Sequence, residues 1–264
     1  MAEPVEKLVL DLETKRSFEE VKAREPRLLG VSVVGIYSYK DGQFRIFQEK
    51  DIKLLLPYLK QATLIIGFNI KNFDFPVLQP YLDFDLQQLN SLDIFEEVYK
   101  SLGFRIGLNS IAQATLKIGK IGTGLDALRY FRKGEMARLT KYCRQDVFIT
   151  RELYEYGRRY GHLLYRRGSV METIPVSWAE GQTIEQILRE AFNKRLTIEI
   201  EYSSSSSDIG KSNRRQIDIY DFDLGKIVAY CHLREDLRSF NIRRILQVRL
   251  TENRYKIPED FKRK

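Results

Sequence analysis

The chain has 264 residues, 43% hydrophobic and 30% charged, which fits one large or two modest globular domains and excludes a collagen-like or wholly disordered polymer. Its apolar runs, such as 28–36, are far shorter than the ~20 residues that span a bilayer, and Met1-Ala2-Glu3-Pro4 lacks the basic region of a signal peptide. The net charge of +8 is spread as 25 basic against 21 acidic residues over 1–165 and 19 against 15 over 166–264, so neither half is a basic tail and a polyanionic partner is admitted without being demanded.

Residues 7–13 read as a strand, apolar until its end. A second β-branched run covers 28–39, Asp41-Gly42 is a tight-turn signal, and 43–48 alternates behind it, which predicts a three-strand antiparallel meander. Asp51 is placed to cap a short helix with Leu54, Leu55, Tyr58 and Leu59 on its buried face. Residues 63–68 predict a buried strand, 72–82 a helix that tolerates Pro76 in its first turn, and 91–94 a short strand. From Leu108 to about Tyr160 helical periodicity dominates, interrupted by Gly119, Gly122 and Gly124. Strands first and helices later, around a mixed sheet, is an α+β pattern.

Composition shifts at 166–183, where Arg166-Arg167-Gly168-Ser169, Pro175 and Gly181 break the periodicity. The expected organisation is therefore a first domain over 1–165, a linker over 166–183 and a second domain over 184–264. In the second, Thr183 can cap a helix over 184–194. Residues 196–202 alternate as a strand, 203–207 is a five-serine run read as a mobile hairpin loop, and 216–222, 226–232 and 245–250 are further strands. Cys143 and Cys231 stand far apart with no Cys or His at metal spacing, so no disulfide framework or zinc site is expected and an intracellular, cytoplasmic setting fits.

Asp11 and Glu13, two apart on one strand, project from the same face, and Tyr142 and Asp146, four apart, share one side of a helix. Asp74 follows the strand at 63–68, on the rim of the sheet. Taken singly, each has an ordinary reading: an exposed strand end, a helix-surface contact, a helix cap. Taken together, Asp11, Glu13, Asp74 and Asp146 are four carboxylates on separate segments, the oxygen-rich donor set that Mg²⁺ or Mn²⁺ favours. Arg151, Arg158 and Arg159 with Tyr154, Tyr156 and Tyr160 would suit a nucleic-acid strand, although a solvated face with packed tyrosines accounts for them better.

These residues carry a resemblance. Leu10-Asp11-Leu12-Glu13-Thr14, then Gly67-Phe68-Asn69 continuing to Phe73-Asp74-Phe75-Pro76, then Tyr142-Cys143-Arg144-Gln145-Asp146-Val147, resemble the three motifs of DEDD-type 3′→5′ exonucleases with the ribonuclease-H-like fold, over about 7–157. A Tyr four before the last Asp is similar to the tyrosine subclass, shared with B-family polymerase proofreading domains. The resemblance implies a mixed sheet with flanking helices and two divalent ions, Mg²⁺ or Mn²⁺. Asp11 would be shared between the ions, Glu13 and Asp146 would complete one set, and Asp74 would support the other. Tyr142 would orient the attacking water, and Asn69 and Phe75 would flank the terminal nucleotide of a DNA or RNA 3′ end, single-stranded DNA being favoured. Asp93 fits none of the motifs and is read as structural.

In the second domain, Tyr230-Cys231-His232-Leu233-Arg234 and Arg238-Ser239-Phe240-Asn241-Ile242-Arg243-Arg244-Ile245 resemble the WYL domain over about 185–250. That implies a small SH3/Sm-like β-barrel and a nucleic-acid or nucleotide ligand, with Arg234, Arg238 and Arg243 as candidate phosphate contacts. The namesake motif is missing, since Lys226-Ile227-Val228 stands there. The alternative to an exonuclease is a catalytically silent nucleic-acid-binding or regulatory protein that keeps the fold; the presence of all four acids and the tyrosine argues against it.

Overall fold

The computed structural model of the chain describes residues 6–119, 122–203 and 212–262. They fall into two compact units, Met1–Glu155 and Tyr156–Lys264, so the division comes ten residues before the boundary read from composition.

The first unit holds β1 (Lys7–Thr14), α1 (Phe18–Val21), β2 (Val31–Ser38), β3 (Gln43–Gln48), α2 (Leu56–Gln61), β4 (Leu64–Gly67), α3 (Asp74–Leu78), β5 (Ser91–Asp93), α4 (Ile94–Leu102), α5 (Leu108–Leu116), α6 (Gly124–Arg132) and most of α7 (Met136–Tyr160). Its sheet runs β3-β2-β1-β4-β5. The expected meander is present: β1 pairs antiparallel with β2, and β2 with β3. On the other side β1 pairs parallel with β4, and β4 with β5. Leu8, Leu10 and Leu12 point into a core with Leu55, Leu59, Phe75 and Leu78. On the opposite face Val33 packs with Ala127, Leu139, Tyr142 and Cys143 of α6 and α7. The sheet is thus covered by helices on both faces, and the odd-numbered residues of β1 face α7.

One expected helix face is corrected. Residues 49–55 form a 3₁₀ helix before α2, and the tighter three-residue turn brings Ile52 and Leu55 inward together. Leu54, expected inside, is left 63% exposed.

The second unit holds β6 (His162–Arg167), β7 (Val170–Pro175), α8 (Ile184–Lys194), β8 (Leu196–Ser203), β9 (Ser212–Asp223), β10 (Lys226–Cys231), β11 (Asp236–Asn241) and β12 (Ile245–Arg254). Part of the stretch expected as linker is β7, paired antiparallel with β6 around the two-residue turn Gly168-Ser169. Gly168 takes φ +62°, the positive value such a turn requires. The expected cap of α8 is present: Thr183 accepts from the Gln186 N–H, and Gln186 Oε1 accepts from the Thr183 N–H. β8 to β12 form an antiparallel sheet of order β11-β10-β9-β8-β12. Among the described residues no pairing joins β11 to β12, so this is an open sheet rather than the closed SH3/Sm-like barrel expected. Its core is built from Leu188 and Ala191 of α8 against Ile198, Ile200, Ile217, Ile219, Ile227 and Phe240. Of the loop expected over 203–207, Ser203 is the last residue of β8 and the rest lies outside the described residues. Among the described residues no helix is long and apolar enough to cross a membrane.

Candidate active site

β1 supplies two of the site's carboxylates because of its alternation. Leu8, Leu10 and Leu12 point into the core, so Asp11 and Glu13 emerge together on the face that α7 covers. α7 supplies Tyr142 and Asp146, one turn apart. What lets this helix come close is Gly35, the cross-strand partner of Asp11 on β2. A Cβ at Gly35 would stand 2.9 Å from both Cys143 Sγ and Val147 Cγ2 of α7. The Cys143 thiol lies 3.7 Å from the Asp11 carbonyl oxygen, another mark of this close approach.

The result is a set of carboxylates brought together from distant parts of the chain. One oxygen each of Asp11, Glu13 and Asp146 lie within 4.8 Å of one another. Asp146 is buried and Glu13 nearly so. Asp74, fully buried at the start of α3, stands beside them. Its Oδ1 accepts the Leu12 N–H at 3.0 Å, joining α3 to β1 between the two β1 carboxylates. Burial, reinforced by the charges of Asp93 and Asp146 and opposed by the Leu12 N–H, pushes the Asp74 carboxyl up to about 7. Burial, then the charges of Asp146, Glu13 and Asp11, raises the Tyr142 phenol well above its ordinary value. The same causes, burial first, raise the Cys143 thiol. These acids impose negative potential on everything near them, and gathering them in a largely dry place is costly unless cations share it. An all-oxygen donor set of this kind fits Mg²⁺ or Mn²⁺.

All five residues predicted to be catalytic are therefore drawn to one region. Asn69 sits in the turn after β4, in the left-handed region at φ +66°, with its side chain partly exposed. Phe75 does not join them. It is 1% exposed and packs in the core with Leu78 and Leu10, because it lies on the inward side of α3. The arginines further along α7 are already engaged. Arg151 pairs with Glu152 and lies over Tyr37 at 4.5 Å, and Arg158 pairs with Glu180.

In the second unit, Arg238 lines a cavity of about 660 Å³ with Tyr220, Tyr230 and Phe261. Five carboxylates, Asp221, Asp223, Glu235, Asp236 and Asp260, share that lining with Arg238 and Lys262, a balance unsuited to a phosphate. Arg234 and Arg243 are exposed outside it. His232 is held by the buried Asp218 at 3.0 Å, and Asp218 accepts the Thr197 hydroxyl at 2.6 Å, a structural use of the histidine.

The family model of the RNase_H superfamily matches residues 10–157, more than half of the chain. The chain belongs to the RNase_H superfamily. A second model, the WYL domain, matches residues 183–250 of this RNase_H-superfamily protein. Among solved structures it is similar to the family B DNA polymerase from the hyperthermophilic archaeon Pyrobaculum calidifontis, at 16% identity and a TM-score of 0.48, over 58% of this chain and 24% of that one. It is also similar to proteasome accessory factor B/C (PafBC) of Arthrobacter aurescens, at 15% identity and a TM-score of 0.26, over 60% of this chain and 22% of that one. The chain thus spans about a quarter of the length of either structure. No curated protein matches it.

Gly35 escaped the sequence reading, although a signal was there. A lone glycine inside Val33-Val34-Gly35-Ile36 marks a strand position that another backbone or helix approaches closely.

Proposed function

We propose that the chain is a metal-dependent 3′→5′ exonuclease of the DEDD type, tyrosine subclass, that hydrolyses phosphodiester bonds of nucleic acid, with single-stranded DNA as the favoured substrate. The observation that carries the reading is the convergence of Asp11, Glu13 and Asp146 within 4.8 Å, with Asp74 and Tyr142 beside them. Asp11 would be shared by two divalent ions, Glu13 and Asp146 would complete one set, and Asp74 would support the other. When bound, such ions activate a water and stabilise the leaving alkoxide. Tyr142, its phenol held protonated by burial and then by the surrounding acids, orients the water by hydrogen bonding and does not serve as a base. Asn69 holds the terminal nucleotide. The WYL unit serves as a strand-binding module, with the exposed Arg243 as a contact in preference to the carboxylate-surrounded Arg238.

The test is a digestion panel of end-labelled single- and double-stranded DNA and RNA with Mg²⁺, Mn²⁺ or EDTA. Shortening from the 3′ end with either ion, its loss in EDTA, and its near-loss in Asp11→Ala and Asp146→Asn are expected. Equal activity of Asp146→Asn and wild type, from separately purified preparations, would overturn the reading.

A further inference from the structure

Asp93 makes contacts that its reading as one more structural acid does not exhaust. It ends β5 and is 1% exposed. Four backbone N–H groups converge on its carboxylate. Oδ1 accepts those of Phe95 at 3.0 Å and Glu96 at 3.4 Å, which cap α4. The other two come from a different element, the turn after β4: Asn69 N–H reaches Oδ1 at 2.8 Å and Lys71 N–H reaches Oδ2 at 3.1 Å. The parallel register places Asp93 directly beside Gly67, so the turn that begins there folds back over the end of β5. Lys71 Nζ is tied to Glu96 Oε2 at 2.7 Å, fastening the same turn to α4 a second time.

What this clamp holds is an unfavourable backbone. Asn69 is at φ +66°, a conformation disfavoured for any side-chain-bearing residue, though least for Asn. The turn's own bonds, Phe73 N–H to the Asn69 carbonyl and Phe75 N–H to the Ile70 carbonyl, leave the Asn69 N–H and Lys71 N–H for Asp93. The Asn69 side-chain amide makes no hydrogen bond among the described residues, and it is partly exposed. Two N–H bonds and an ion pair thus hold the backbone that carries one polar amide, and that amide is left open.

We infer that Asp93 is a positioning residue, which holds Asn69 in the conformation that grips the terminal nucleotide and so sets the affinity of the site for a 3′ end. The inference rests on the exonuclease reading for the identity of the ligand. Asp93 touches neither substrate nor the carboxylate set by hydrogen bond, and its action runs through the backbone of residues 69–71.

The test separates this role from that of a helix cap. Asp93→Ser keeps a good N-cap for α4 but is too short to bridge to the turn. Asn69→Gly deletes the amide while accepting the positive φ without strain. The full-length chain and both variants, alone and combined, are titrated against a fluorescein-labelled single-stranded DNA 12-mer with a free 3′-hydroxyl, with Ca²⁺ in place of Mg²⁺. Loss of one neutral hydrogen bond predicts a Kd raised about 5–10-fold in each single variant. The double variant is expected to bind no more weakly than Asn69→Gly alone, because the two changes remove one interaction. Effects that multiply, or an Asp93→Ser that binds like wild type, overturn the inference. So does an unchanged Kd in Asn69→Gly. Cleavage by the wild type is measured separately with Mn²⁺. A wild type that binds but never cleaves sinks the exonuclease reading alone, and one that cleaves while Asp93→Ser binds normally sinks the inference alone.

Discussion

Replacing Gly35 by alanine would test whether the packing of α7 on β2 sets the geometry of the site. The new Cβ would stand 2.9 Å from Cys143 Sγ and Val147 Cγ2 and 3.2 Å from Ile46 Cδ1. Ordinary carbon contacts are about 3.5–4.0 Å, so α7 has to retreat by roughly 0.6–1 Å or its side chains leave their rotamers. Overpacking of this kind costs about 1–3 kcal/mol. Cys143 and Val147 flank Asp146 on α7, so any retreat draws Asp146 and Tyr142 away from Asp11 and Glu13. A misplacement of about 1 Å at a reacting centre costs on the order of 10²-fold in rate. Gly35→Ala should therefore lower the denaturant midpoint modestly and cleavage steeply, as read by urea unfolding and by 3′-shortening of a labelled oligonucleotide. Trimming the partners, in Gly35→Ala/Cys143→Ala/Val147→Ala, should return part of the rate while stability stays low. Gly35→Ala with wild-type stability and rate, or a triple variant slower than the single one, would refute the account of how α7 is seated.

Tyr142→Phe should slow turnover by roughly 10²–10⁴-fold or less while Mn²⁺ affinity, measured by calorimetry, barely changes; lost metal binding would contradict its assigned role. His162 in the second unit is buried, its Nδ1 2.9 Å from the Tyr160 carbonyl, and burial holds its pKa down to about 4 against an ordinary 6.5. Because the folded value lies below the unfolded one, its contribution is complete above about pH 6.5 and lost as pH falls through about 4. The gap is worth about 3 kcal/mol, so His162→Gln should flatten the stability–pH curve across that window in urea melts, and an unaltered slope would count against it. If Arg238 and Arg243 contact phosphates, charge-removing changes there should weaken oligonucleotide binding by the full-length chain and flatten its salt slope, as followed by fluorescence anisotropy; the carboxylates around Arg238 make Arg243 the stronger effect.

Much of the first unit could be read directly from residue order. Alternation in 7–13 and 43–48 and the Asp41-Gly42 turn define a meander without outside information, and the same period-2 rule puts Asp11 and Glu13 on one face. Periodicity fails where the local helix changes pitch, as at Leu54, and where a strand lies at an exposed edge. β11 carries exposed residues along most of its length, so it has no buried face to leave a pattern. The β6–β7 hairpin was hidden in what looked like a linker, although Gly168-Ser169 is a legitimate hairpin turn. The four acids and Tyr142 were visible because chemistry restricts them to few residue types. Phe75 shares a motif with Asp74, but its own side chain turns inward, which the letter order does not reveal. The clamp at Asp93 was illegible because backbone N–H groups have no letter in a sequence.

α7 begins at Met136 and ends at Tyr160, and its first part carries two of the five residues of the site. During synthesis from the N-terminus, β1 leaves the ribosome with Asp11 and Glu13 long before their partner Asp146 exists. The oxygen set is thus a late product of translation, closed only when α7 has emerged and can lie on Gly35. Until then the nascent protein carries a pair of neighbouring acids with no helix to enclose them. Any chemistry that needs the assembled set must therefore wait until the ribosome has finished nearly the whole first unit.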